Sequence, residues 1–198
     1  MIPKDQDLKL WLETELLENR SKQNVLRIAH LAQYEPKLID AVFECIVEGK
    51  DKIDWRSAWV LDHLNQISKE TVRPYLSKMI MFLSASNNES LQRTYLKILG
   101  QNEIPEENSG VLMDLCFELL NNPKSAVAVR AWCIFILMEF AKKYPKIKNE
   151  LKSILELISQ TGTAGEKSRA QVVLKTLDKE SYSDFLYLLL RFCPLSVF

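Results

Sequence analysis

Apolar residues return every three or four positions along almost the whole chain, which is the period of an amphipathic helix. No segment alternates strictly between apolar and polar as a half-buried strand does. The pattern predicts helices over roughly 6–19, 22–33, 36–48, 53–67, 72–85, 88–100, 108–121, 123–143, 146–160, 164–178 and 184–192. The punctuation agrees with that reading. Ser86-Asn87-Asn88-Glu89 and Thr163-Ala164-Gly165-Glu166 have the spacing of a capping box, in which hydroxyl and carboxylate satisfy the orphan amides of a helix start. Asn122-Pro123 places a capping side chain before a proline at the first helical position, where a missing N–H costs nothing. Pro36, Pro74 and Pro145 also sit near expected starts.

Short helices joined by short turns suggest a repeat. Four segments align on an arginine: Arg56 in Trp55-Arg56-Ser57-Ala58-Trp59-Val60-Leu61, then Arg93, Arg130 and Arg169, spaced by 37, 37 and 39 residues. One position on, the residues are all small: Ser57, Thr94, Ala131 and Ala170. Three on, the column is Trp59, Leu96, Cys133 and Val172; five on, it is Leu61, Ile98, Phe135 and Leu174. The two apolar columns lie about 160° apart around a helix. A helix apolar on two flanks is sandwiched between neighbours, and the small column permits close approach. The repeat is a helical hairpin of about 38 residues, with the arginine segment as its second helix.

Hairpins of this period, with an arginine and then a small residue in the second helix, resemble HEAT and armadillo-type repeats over roughly residues 20–178. Ile53 to Leu61, Ala128-Val129-Arg130-Ala131-Trp132 and Lys167-Ser168-Arg169-Ala170 are similar to a group of small bacterial HEAT-like proteins of unknown role. Some of that group carry the label adenylosuccinate lyase. That lyase uses a mobile loop of the S-S-x-M-P-x-K type, which this chain lacks. The resemblance implies an all-α, right-handed α-solenoid. The expected layout is an N-terminal cap (1–33), hairpins at 36–67, 72–100, 108–143 and 146–178 within a single repeat domain (1–180), and an apolar C-terminal cap or tail (181–198).

Composition narrows the function. Lys plus Arg and Asp plus Glu are 26 each, so the formal net charge is zero and gives no long-range pull toward nucleic acid or anionic lipid. Five glycines are too few for an all-β fold or a Gly-rich phosphate loop. The charged start, Met1-Ile2-Pro3-Lys4-Asp5, lacks the apolar core of a secretory signal, and no stretch reaches the ~18 apolar residues of a membrane span. Cys45, Cys116, Cys133 and Cys193 are widely spaced with no C-x-x-C, which reads as reduced core thiols in a cytoplasmic protein rather than a metal site. No cofactor motif is present.

The arginine column is the most distinctive feature. Arg56, Arg93, Arg130 and Arg169 are expected in a row, one per layer, about 10 Å apart. Within HEAT-type repeats, which the chain resembles, such arginines tie layer to layer as a ladder; an open row would face an acidic peptide or phosphates. Trp55 and Trp132 fall in columns that vary between layers and are candidates for partner binding, whereas Trp59 lies in an apolar column and reads as core. His30 and His63 read as partly exposed histidines on helix flanks, with Asp62 diverging from His63. The DNA glycosylases of alkylation repair also use a HEAT-like array, with aromatic and acidic residues in a basic cleft, and Trp59 and Asp62 fall near each other here. The densely apolar tail offers Phe185, Leu188, Leu189 and Phe192 at i, i+3, i+4 and i+7, and reads as a cap or a dimerising segment.

These readings converge on a non-catalytic scaffold with a protein partner, no nucleic acid and no membrane, as a monomer or weak homodimer. The alternatives are a nucleic-acid enzyme of the alkylation-repair kind and a structural component of an oligomer.

Overall fold

The computed structural model describes residues 7–49, 52–86 and 88–179, so the tail expectations at 181–198 lie outside the described residues. Among the described residues every regular element is helical. In chain order they are α1 (Leu8–Glu18), α2 (Lys22–Ala32), α3 (Pro36–Glu48), α4 (Ile53–Ile67), α5 (Lys69–Val72), α6 (Leu76–Ala85), α7 (Glu89–Gly100), α8 (Glu106–Asn121), α9 (Val127–Lys143), α10 (Lys148–Thr161) and α11 (Ala164–Lys179). The fold class is all-α, as the periodicity predicts. The chain forms two compact units, Met1–Leu112 and Met113–Phe198.

Local chemistry sets the helix ends. Pro36 occupies the start of α3 without losing a bond, and Gly49 ends it in the left-handed region at φ 63°. Ser21 caps α2 by accepting from Asn24 N at 3.2 Å. The expected box at Ser86 is not formed: Asn88 caps α7 instead, accepting from Ser90 N and Leu91 N, while Ser86 serves as the C-cap of α6. The box at Thr163 is formed, with Thr163 N donating to Glu166 Oε2 at 2.9 Å and Glu166 N to Thr163 Oγ1 at 3.4 Å. Asn122-Pro123 closes a turn rather than starting a helix. The Asn122 side chain accepts from Lys124 N and its carbonyl from Ser125 N, so α9 begins four residues late, at Val127. Pro74 and Pro145 sit in single 3₁₀ turns that lead into α6 and α10.

In the first unit α3 packs on α4 and α6 on α7, α1 packs on α3, and α2, α4 and α7 pack side by side with α4 central. The segment expected as a cap is thus a hairpin, α1–α2, whose second helix stacks on α4. Asn24 clasps that hairpin, donating to the carbonyls of Glu15 and Asn19 at 2.9 Å each, and Gln92 does the same for α6–α7 through the Ser86 carbonyl at 2.8 Å. Leu12, Leu16, Ile28, Leu38, Ile39, Ile46, Leu61, Leu64, Leu76, Met79, Ile80 and Tyr95 are among the largest fully buried side chains of this unit's core. In the second unit α10 packs on α11 and α9, and α9 is buried on nearly every side. Of the small column, Ser57, Ala131 and Ala170 are buried, whereas Thr94 is half-buried and bonds back to the Ser90 carbonyl. The small column therefore marks close helix approach in three layers out of four.

Candidate binding face

The four arginines lie on α4, α7, α9 and α11, but their surroundings differ. Arg56 is 7% exposed, its guanidinium lies 5.0 Å from the Trp55 ring centroid, and its Nη1 has no hydrogen-bond partner among the described residues. Burial first, and then the nearby Arg20, push its pKa below the ordinary value, although a guanidinium remains charged. Arg93 is exposed. Arg130 pairs with Glu166 of α11, with both side chains largely covered, and Arg169 lines the same shallow groove beside Val127, Ala131 and Ile158. Among the described residues the ladder has a rung at Arg130 and none at Arg56. Burial pushes the Glu166 carboxyl up, but the Thr163 N–H and hydroxyl and the Arg130 guanidinium outweigh it and hold the carboxyl below its usual range.

In the first unit, the rungs between second helices are built from other residues. Lys97 of α7 donates to Asp62 Oδ2 of α4 at 2.7 Å. Asn65 donates to Gln101 at 2.9 Å and accepts from Asn102 at 2.7 Å, and Asp54 accepts from Asn88 at 2.9 Å.

The aromatic residues sort differently from their columns. Trp132 is 7% exposed and packs edge-on to Phe135 at 5.7 Å, a core position that offers no face to a ligand. Trp59, expected in the core, is half-buried on α4 because no neighbouring side chain fully covers its column in this layer. Trp55, Trp59 and His63 follow one another at i, i+4 and i+8. Trp55 and Trp59 are stacked with centroids 6.4 Å apart, and Trp59 and His63 lie at 5.7 Å. The row descends from 36% exposure at Trp55 to 7% at His63. His63 is thus buried rather than partly exposed, since the central position of α4 between α2 and α7 encloses its flank, while His30 is exposed.

Cations from neighbouring segments approach this row. Burial first lowers the His63 pKa; Asp62 raises it, and Lys22 of α2 and Lys97 of α7 lower it. Arg20, just ahead of α2, adds a further cation beside Arg56. The nearby carboxylate, Asp62, is 8% exposed and already paired to Lys97. Reasoning on the sequence by columns missed His63, Arg20 and Lys22. The spacing 55, 59, 63 along one helix was the available signal.

The HEAT repeat domain family matches residues 12–177. The chain belongs to the HEAT repeat family. Its match begins inside α1, so the α1–α2 hairpin falls within the HEAT repeat array. No curated protein matches the chain, and no solved structure does. As a HEAT repeat protein it is a helical repeat scaffold, and what such a scaffold carries must be argued from its own side chains. Among the described residues no group of three or more His, Cys, Asp or Glu is placed to hold a metal ion, and no helix is long and apolar enough to cross a membrane. Cys45, Cys116 and Cys133 are buried free thiols.

Proposed function

We propose that this HEAT repeat protein is a non-catalytic interaction module whose α2–α4–α7 face docks a segment of a partner protein. The observation that carries this reading is the Trp55–Trp59–His63 row. An aromatic stripe is left partly uncovered on the central helix of a three-helix row, where a well-packed core would have closed over it. Aromatic and arginine side chains supply most of the energy at protein interfaces, and Arg56 stacks on this stripe. The alkylation-repair alternative needs Asp62 available to a substrate. Its Oδ2 is engaged by Lys97 and Gln66 as a rung between helices and its Oδ1 is buried, which supports binding over catalysis. A cytoplasmic setting is part of the same proposal.

The test is affinity capture with the tagged full chain, compared with a Trp55→Ala/Trp59→Ala variant and with Arg93→Ala as a surface control. The expected result is a protein recovered in simple stoichiometry by the parent and by Arg93→Ala, and lost with the double variant. Recovery of nucleic acid instead, or a captured set indifferent to the tryptophans, would contradict the proposal.

A further inference from the structure

Four polar atoms on α4 lack a hydrogen-bond partner among the described residues: Ser57 Oγ and, on ionisable side chains, Arg56 Nη1, Asp62 Oδ1 and His63 Nε2. The three ionisable residues are 7%, 8% and 7% exposed. A buried polar atom left unpaired destabilises the fold, so a cluster of three invites a ligand that completes them. Positions 56, 59 and 63 stand at i, i+3 and i+7, on one stripe of the helix. At 1.5 Å rise per residue, Arg56 and His63 are about 10 Å apart along the axis. The Arg56 guanidinium leans over Trp55, away from His63, so a single small anion cannot serve both.

We infer that the α4 face takes an acidic segment of a partner polypeptide, with one carboxylate at Arg56, a second at His63 and the Trp59 ring between them. This deepens the docking reading above and rests on it. The charge favours it: Arg20 lies beside Arg56 and Lys22 beside His63, while Asp62 and Lys97 neutralise each other. Asp62 Oδ1 argues for a polypeptide over a phosphate backbone. An unpaired acceptor needs an N–H, which a peptide backbone supplies and a phosphodiester does not. A polyproline II segment rises about 3.1 Å per residue with three residues per turn, so acidic residues three positions apart lie on one face about 9–10 Å apart.

A carboxylate docked at His63 favours the imidazolium. The groups facing His63 are Asp62 and Gln66 on its own helix, Lys22 from α2 and Lys97 from α7. Free, His63 titrates below its ordinary value; bound, it titrates higher. Complex formation therefore takes up a proton, and affinity rises as pH falls from 7.5 to 5.5.

The experiment is selection of phage-displayed random peptides on the immobilised full chain, followed by titration of the best synthetic peptide. The expected pool is enriched in Asp or Glu pairs three positions apart. Changing both acids of the peptide to Gln weakens binding by about tenfold or more, a comparison that needs no protein variant. Arg56→Gln weakens it similarly, and the gain at low pH disappears in His63→Gln. A pool that binds through Trp59 but lacks acidic pairs overturns this inference and leaves the docking reading standing. Binding indifferent to Trp59→Ala overturns both. Displacement of the peptide by an oligodeoxynucleotide at lower concentration than by free acidic peptide also overturns the inference, in favour of a phosphate ligand.

Discussion

Glu166 does two jobs in the second unit, and removing it separates them. Its carboxylate closes the capping box with Thr163 at the start of α11 and also pairs with Arg130 of α9. The side chains of Arg130 and Glu166 are 14% and 10% exposed, so the pair lies between a surface bridge, worth about 0–1 kcal/mol, and a buried one, whose breakage costs about 3–5 kcal/mol. Arg130 Nε already lacks a partner among the described residues, so Glu166→Ala leaves the guanidinium poorly satisfied. Adding a cap worth about 1 kcal/mol, Glu166→Ala is expected to destabilise by about 2–4 kcal/mol, lowering a urea midpoint by about 1 M or more. Glu166→Gln keeps an oxygen for the Thr163 amide and loses only the charge, so about half of that loss is expected. The double-mutant cycle with Arg130→Ala should return a coupling of about 1–2 kcal/mol. The sign with pH follows from the depressed carboxyl: its stabilisation is full above the unfolded pKa of about 4.3 and fades as pH falls through the lower folded value. The gap between parent and Glu166→Gln should therefore be constant from neutral pH down to about 5 and shrink below about 4. Additive single changes, or a gap that ignores pH, would refute the rung.

Further outcomes are expected elsewhere. Ala170→Leu and Ala131→Leu overpack buried small positions and should cost about 1–3 kcal/mol in urea melts, whereas Thr94→Leu at the half-buried equivalent should cost less; equal losses at all three would sink the close-approach reading. The Tyr95 hydroxyl is buried without a hydrogen-bond partner among the described residues, so Tyr95→Phe should melt at or above the parent temperature, and a loss beyond about 1 kcal/mol would reveal an unseen partner. His63 should titrate below its ordinary value of about 6.5 by proton NMR, and, because the unfolded chain binds that proton more tightly, stability should fall as pH drops below about 6.5. A midpoint at or above 6.5 would contradict its burial.

The sequence was most legible where one signal had one meaning. Pro36 at the start and Gly49 at the end of α3 can each do little else there, and the periodicity gave 36–48 and 53–67 with both bounds as observed. Asn122-Pro123 was ambiguous, because asparagine before proline caps a helix or opens a turn with the same atoms. The repeat columns fall on the helices α4, α7, α9 and α11 but could not say how completely each layer is covered. Trp59 and Leu96 share a column, yet Leu96 is fully buried and Trp59 is not. The arginine column misled in a related way. Position was repeated, but the surroundings were not: Arg130 meets a carboxylate supplied by the capping box at the start of α11, a coincidence of two helix ends that spacing alone does not reveal.

The chain's four tryptophans allow a direct test of the binding face, because each indole N–H gives its own signal in a ¹⁵N–¹H spectrum. On titration with the selected peptide or captured partner, the Trp55 and Trp59 signals should move together and saturate at the binding stoichiometry. Trp11 and Trp132, both buried outside the row, should stay in place. A shift confined to Trp132, with Trp55 and Trp59 unmoved, would place the binding surface in the second unit and contradict the account.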